Sequence, residues 1–202
     1  MSQVLGVVLA AGRSSRMGRS KALLPCPPDG ETFVTRAIRT LERGGVAGIV
    51  VVGRGTGDDL EREVTGSSPA AAYIVNLSAD LGQLSSLLVA IEYAHRNAAE
   101  AVMFLPVDMP SIRADTVRAL VCAFAEGSQP IVRAVHGGRH GHPVIVASSL
   151  FDEFRRADPA VGARAVLRAD PSRIRDVEVD DPGVLRDVDT PLDYQALLGE
   201  RG

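Results

Sequence analysis

Short β-branched, apolar runs alternate with stretches whose apolar residues repeat at helical spacing, and this alternation constrains the chain more than any other feature. Residues 4–11, 48–52, 71–75, 101–107, 131–135 and 143–147 read as strands. Between them Val34, Ala37, Ile38 and Leu41 form one helical stripe, Leu84, Leu87, Leu88 and Ile91 a second, and Val117, Leu120, Val121 and Phe124 a third. Strands that each follow a helix demand a mainly parallel sheet flanked by helices, so the expected class is α/β. These stripes are core faces and carry no functional weight. At 202 residues and 46% hydrophobic composition, one such domain spanning 1–202 is the expectation. Residues 162–169 extend it with a helical stretch and 175–179 with a further strand.

Charge and composition exclude several classes. The 22 basic and 25 acidic residues leave a net charge of -3, which does not favour a polyanion, so nucleic acid is not an expected partner. Cys26 and Cys122 are the only cysteines and form no C-x-x-C pair, which fits a reducing cytoplasm rather than a disulfide framework. No run approaches the roughly 18 apolar residues of a membrane span. His95 and His136 have no partner at ligand spacing, so zinc is not expected.

In an open α/β sheet ligands gather beyond the carboxyl ends of the strands, which directs attention to the loops that follow them. The first is Leu9-Ala10-Ala11-Gly12-Arg13-Ser14-Ser15-Arg16-Met17-Gly18-Arg19-Ser20-Lys21. Glycines let backbone amides approach phosphate oxygens while Arg and Lys neutralise their charge; the alternative is a basic loop that is merely solvated. The spacing matches neither a Walker loop nor G-x-G-x-x-G. Gly53-Arg54-Gly55-Thr56-Gly57 has Asp58 where a last glycine would stand, and reads as a surface turn.

The string L-A-A-G-x-S-x-R-M-G-x-x-K resembles the signature loop of the nucleotidylyltransferases that complete the molybdenum cofactor. The resemblance implies a Rossmann-like sheet of the nucleotide-diphospho-sugar transferase type. It also implies that the backbone of Leu9, Ala10, Ala11 and Gly12 seats a nucleotide, with Arg16 and Lys21 on its triphosphate. Four more segments match in family order. Asn76 with Gly82-Gln83-Leu84-Ser85-Ser86 is similar to the segment that reads base and ribose, although Ser85 or Ser86 capping exposed helix amides is an equally physical role. Asp108-Met109-Pro110, at the end of the strongest strand, is similar to the family's magnesium site; a lone Asp there is otherwise a turn former.

Asp187-Val188-Asp189-Thr190-Pro191-Leu192-Asp193-Tyr194 resembles the closing motif that brings a second metal ligand. Alternation puts Asp187 and Asp189 on one face with Val188 behind, and the resemblance favours Asp189 as the ligand. Asp193 reads as capping the following helix. Gly141-His142-Pro143, preceded by Arg139, resembles the turn near the acceptor pocket, where His142 either touches the acceptor or orders the turn. The family's G-D-x-G-A-R string is broken here, with Ala160 at the acidic position before Gly162-Ala163-Arg164.

The implied activity is Mg2+-dependent transfer of a nucleoside monophosphate to a molybdopterin-type acceptor with release of pyrophosphate. The resemblance further implies Arg16, Lys21 and Asp108 as catalytic and a molybdenum oxidoreductase as recipient of the product. Ala10-Ala11 before Gly12 resembles the cytidylyl branch, favouring CTP over GTP. A guanylyl or sugar-phosphate transferase is the alternative enzyme, and a non-catalytic nucleotide or cofactor carrier the alternative of another class.

Overall fold

The computed structural model of the chain describes residues 3–13, 17 and 20–199. Seven strands, β1 Val4–Leu9, β2 Gly48–Gly53, β3 Ala71–Val75, β4 Ala101–Pro106, β5 Ile131–His136, β6 Arg139–Ala147 and β7 Ile174–Glu178, form one sheet in the order β3-β2-β1-β4-β6-β5-β7. β1 pairs in parallel with β2 and β4, β2 with β3, and β5 with β7, while β6 runs antiparallel to both β4 and β5. The expected mainly parallel α/β sheet is therefore the observed one.

Helices α1 Phe33–Gly44, α2 Asp59–Ser67, α3 Gln83–Arg96, α4 Ala114–Glu126, α5 Phe151–Arg156, α6 Arg164–Arg168 and α7 Pro191–Gly199 cover both faces. Side chains alternate across each strand, so the sheet feeds two cores. Val8, Met103 and Leu105 pack with the buried stripes of α1 and α4. Val7, Val102 and Phe104 pack with those of α3 and α5. Each fully buried Leu or Phe contributes about 1.5–3 kcal/mol, which makes these stripes the main stabilising term. Thr32 starts α1 by accepting from the Thr35 amide at 3.2 Å, and Gly45, at φ 85°, ends it in the left-handed conformation that favours glycine. Where α1 crosses α4, a Cβ on Gly44 would lie 2.1 Å from Val117 Cγ1, so the crossing requires a residue without a side chain.

Most boundaries shift by a residue or two from the sequence expectation, and two of the differences bear on the site. β1 ends at Leu9, although the Ala10 amide still reaches the Val52 carbonyl at 2.9 Å. The Gly-His-Pro segment is not a turn. The hairpin turn lies at Gly137-Gly138, and Gly141, His142 and Pro143 sit inside β6 where its register with β5 slips between Arg133 and Val135. Pro143 has no amide to donate, and a bulge is where a strand tolerates it.

The chain moves outward from β1 through β2 to β3, then returns across the sheet through α3 to β4 on the other side of β1. This reversal leaves a crevice above the carboxyl ends of β1 and β4.

Candidate nucleotide site

A cleft of about 360 Å³ opens at this reversal, lined by Leu9, Ala11, Gly12 and Arg13 of the first loop, Arg54, the Ala79 to Gln83 region, Ser86, Pro106 and Asp108. A second cavity of the same size lies at the opposite end of the sheet around Gln3, Gly48, Tyr93 and Asn97. Among the described residues no charged side chain lines that one, so of the two it is the first cleft that offers partners to a polyanion.

At one end of the cleft the cation and carboxylates foreseen from sequence converge. Lys21 Nζ lies 3.4 Å from Asp108 Oδ2 and donates a short hydrogen bond to Asp189 Oδ1. The Lys21 side chain is 11% exposed, Asp108 28% and Asp189 42%, so the ammonium is enclosed and the carboxylates still meet solvent. Burial pushes the Asp108 carboxyl above its ordinary value, with Lys21 pulling the other way and Asp189 adding to the rise.

Local structure explains how Asp189 arrives from so far along the chain. The Val188 amide donates to the Asp108 carbonyl at 2.8 Å, and the buried Val188 side chain anchors the segment. Asp193 then accepts from the amides of Asp189 at 3.1 Å and Thr190 at 2.7 Å, while the Asp193 amide donates to Thr190 Oγ1 at 3.2 Å. This is a reciprocal capping box at the start of α7, the capping role expected of Asp193. Asp187 is exposed, and Asp189 is the one that meets Lys21.

The floor of the cleft is set by other means. Asn76 is 1% exposed, with Nδ2 donating to Ser85 Oγ at 2.8 Å and Ser86 Oγ at 2.9 Å, and Oδ1 accepting from the Ser78 amide. Its polar atoms are all engaged, so it holds the two serines rather than facing the cleft. Ser85 Oγ donates back to the Gly82 carbonyl at 2.7 Å, and α3 begins without any side-chain cap. Neither serine caps amides, and although the Ser85 amide donates to the Gly82 carbonyl at 3.2 Å, those of Gln83 and Leu84 have no partner among the described residues where Gly82, Gln83 and Ser86 line the cleft. Gly82, at φ 96°, makes this entry possible. Ala10 packs in the core with Val8 and is not part of the cleft lining, whereas Ala11 and Gly12 line the cleft itself.

Residues 6–176 match the sequence pattern of the MobA-like NTP transferase domain. The chain belongs to this family. Among curated relatives, a probable molybdenum cofactor guanylyltransferase of Rhodopirellula baltica is 36% identical over 65% of this chain and 60% of its own length. The molybdenum cofactor cytidylyltransferase of Escherichia coli is 26% identical over 96% of this chain and 95% of its own. Among solved structures, Rv0371c of Mycobacterium tuberculosis superposes with a TM-score of 0.79 at 26% identity, covering 98% of both chains, and that protein has also been solved with manganese. The chain thus spans less than two thirds of the guanylyltransferase and nearly all of the cytidylyltransferase.

Within this MobA-like domain Arg139 and His142 lie apart from the cleft. Arg16 lies outside the described residues. Arg139 is exposed at the start of β6, opposite His136. His142, in the β6 bulge, is largely buried with Nδ1 unpartnered, and burial holds its imidazole below the ordinary histidine value; the Phe104 carbonyl and Asp108 act in the opposite sense. Neither Arg139 nor His142 lines the cleft. Arg54 does, although its glycine-flanked position reads as a surface turn in the sequence. The available signal was its place directly after β2, on the ligand side of the sheet.

The donor set suits a hard cation. Two carboxylates, Asp108 and Asp189, sit within reach of one ammonium, and magnesium in nucleotide enzymes commonly takes one or two protein carboxylates, completing its shell with phosphates and water. Among the described residues no three His, Cys, Asp or Glu side chains converge on a metal position, so an all-protein cage is not what this site resembles.

Proposed function

We propose that this chain is a nucleotidylyltransferase that moves a nucleoside monophosphate, CMP from CTP by preference, onto a molybdopterin-type acceptor and releases pyrophosphate. The observation that carries the reading is the Lys21, Asp108 and Asp189 cluster at the end of a cleft lined by the first loop. Family membership and relatives named as molybdenum cofactor guanylyl- and cytidylyltransferases support it. A binding protein has no need of a buried ammonium between two carboxylates beside the phosphate end.

In this reading Asp108 and Asp189 would hold magnesium, which supplies charge neutralisation on the triphosphate. Lys21, together with Arg16, offsets the charge that grows on the departing pyrophosphate. The loop backbone at Ala11 and Gly12 and the uncapped start of α3 orient the nucleotide. An oxygen of the acceptor's phosphate forms the new bond to the α-phosphorus as the bond from that phosphorus to the bridging oxygen of pyrophosphate breaks. An acceptor phosphate is already ionised, so no side-chain nucleophile or base is required. Positioning and electrostatics carry the step. Arg139 and His142 would serve the acceptor from the β6 side.

The guanylyl alternative has its own support, since the relatives of that name show the higher identity, 36% against 26%. The Ala10-Ala11 pair favours cytidylyl transfer. Incubating the protein with magnesium, molybdopterin and each triphosphate in turn, and measuring pyrophosphate, tests both. Release with CTP above GTP is expected. GTP equal or better would move the assignment to guanylyl transfer, and no release with any triphosphate would refute the enzyme reading.

A further inference from the structure

Three loops that follow β1, β2 and β3 meet at the rim of the cleft through one carboxylate. Arg54 Nη1 donates to Asp80 Oδ1 at 2.6 Å, and Arg13 reaches the same oxygen through Nε at 2.9 Å and Nη2 at 2.8 Å. The hydrogen bonds from Arg54 and then Arg13 hold the Asp80 carboxyl below its ordinary value, so it stays ionised between them. Arg54 is fixed a second time, its Nε donating to the Ala11 carbonyl at 3.1 Å.

The turn that carries Arg54 is also fixed. A Cβ on Gly53 would lie 1.9 Å from the Tyr73 hydroxyl, and that hydroxyl donates to the Gly55 carbonyl at 2.8 Å. The guanidinium is thus held by backbone on one side and a carboxylate on the other, while lining the cleft.

A guanidinium carries five N–H donors and no acceptor. Among the described residues two of those on Arg54 are engaged, and the rest of the fork remains for a ligand. If the phosphates lie at the Lys21 and Asp108 end, as the proposed function requires, the Arg54 end is left for the base. A fork that only donates binds best to two adjacent acceptors. Cytosine offers O2 with N3, and guanine offers O6 with N7. Adenine sets an amino donor beside its acceptors, and uracil sets N3–H between its two carbonyls, so neither presents such a pair on those edges.

We propose that Arg54 is a base-selecting residue, its fork held in the cleft by Ala11 and Asp80, and that it admits cytosine or guanine over adenine and uracil. The inference rests on the nucleotidylyltransferase reading, and deepens it by naming the residue that sets the class of base. Asp80 is then a positioning residue that acts through Arg54.

The test is isothermal titration of CTP, GTP, UTP and ATP with magnesium into wild type, Arg54→Ala, Arg54→Lys and Asp80→Asn, each first checked by thermal melting. Wild type should bind its preferred member of CTP and GTP roughly tenfold or more tighter than ATP and UTP, the scale of one bidentate base contact. Arg54→Ala should erase that preference and leave ATP affinity nearly unchanged. Arg54→Lys, which keeps the charge but loses the fork, should erase it too, and Asp80→Asn should reduce it. Equal losses for all four nucleotides, rescued by lysine, would show a phosphate contact and overturn the inference while leaving the proposed function standing. A wild type that binds all four alike would also overturn it. A wild type that binds none would refute the nucleotide reading and this inference with it.

Discussion

The half of the sheet built from β1 to β4 and the half built from β5 to β7 solve different problems. In the first, parallel strands with helical crossovers point their carboxyl ends the same way, so each strand delivers its following loop to one crevice. Leu9, Ala11, Gly12, Arg54, Gly82 and Asp108 reach the cleft by that rule alone. In the second, β6 runs antiparallel, and its amino end carries Arg139 and the bulge with His142 to the same edge but outside the cleft. The cleft therefore follows from topology, while the β6 side depends on irregular features: a bulge, a hairpin turn and the capped segment that ends at Asp189.

This contrast predicts a graded set of responses. Asp108→Asn should have the largest effect, because it removes charge where the two halves meet. Pyrophosphate release should fall by about a hundredfold or more, the equivalent of several kcal/mol of lost charge stabilisation. Near-normal release at ordinary magnesium would break the account.

Substitutions confined to one half should separate stability from acceptor use. Asn76→Ala strips the partner from two serines and one amide on the nucleotide side, so denaturant unfolding should show a loss of about 1–3 kcal/mol with weaker nucleotide binding. Arg139→Ala, on an exposed hairpin, should leave the melting temperature and nucleotide affinity unchanged and raise the acceptor KM by roughly tenfold, one charge-assisted contact. Reversal of those two patterns would mean the halves are assigned the wrong way round.

The smallest effect concerns stability and pH. Burial raises the Asp108 carboxyl above the ordinary aspartate value of 3.8, so the folded chain holds that proton more tightly than the unfolded chain. The contribution to stability is full below 3.8 and is lost as pH rises through the raised folded value. Asp108→Asn never ionises and escapes that loss. It should melt above wild type at neutral pH, with the difference closing in acid; a variant that melts lower at neutral pH would contradict the sign.

The sequence made the first half legible because its signals are local. Strand runs and stripes such as Val34 to Leu41 reappear as β1 to β4 and α1, α3 and α4. The helices α2 and α5 lack a long stripe: α2 buries only Leu60 and Val64, and α5, at 6 residues, is shorter than two turns. The Gly141 to Pro143 segment reads as a turn in the sequence because Gly and Pro mark turns and bulges alike, and only the register with β5 distinguishes them. Asn76 reads from the sequence as part of a base and ribose segment, and its hydrogen bonds to Ser85 and Ser86 are not legible there because they depend on how β3 enters α3. Arg54 sits in a glycine-flanked run that reads as a surface turn and Asp80 in no motif, because their pairing joins loops that are adjacent only once the sheet has formed.

The central claim is that the Lys21 ammonium, enclosed between Asp108 and Asp189, serves transfer rather than storage of the nucleotide. The direct measurement is a paired one on Lys21→Ala: the nucleotide dissociation constant and the single-turnover rate with acceptor and magnesium, with folding checked by melting. The rate should fall far more than affinity does, because the charge that Lys21 offsets grows in the transition state. Parallel losses of rate and affinity, of the size of one charge-assisted contact at about 1.5–3 kcal/mol, would contradict it and describe a carrier instead.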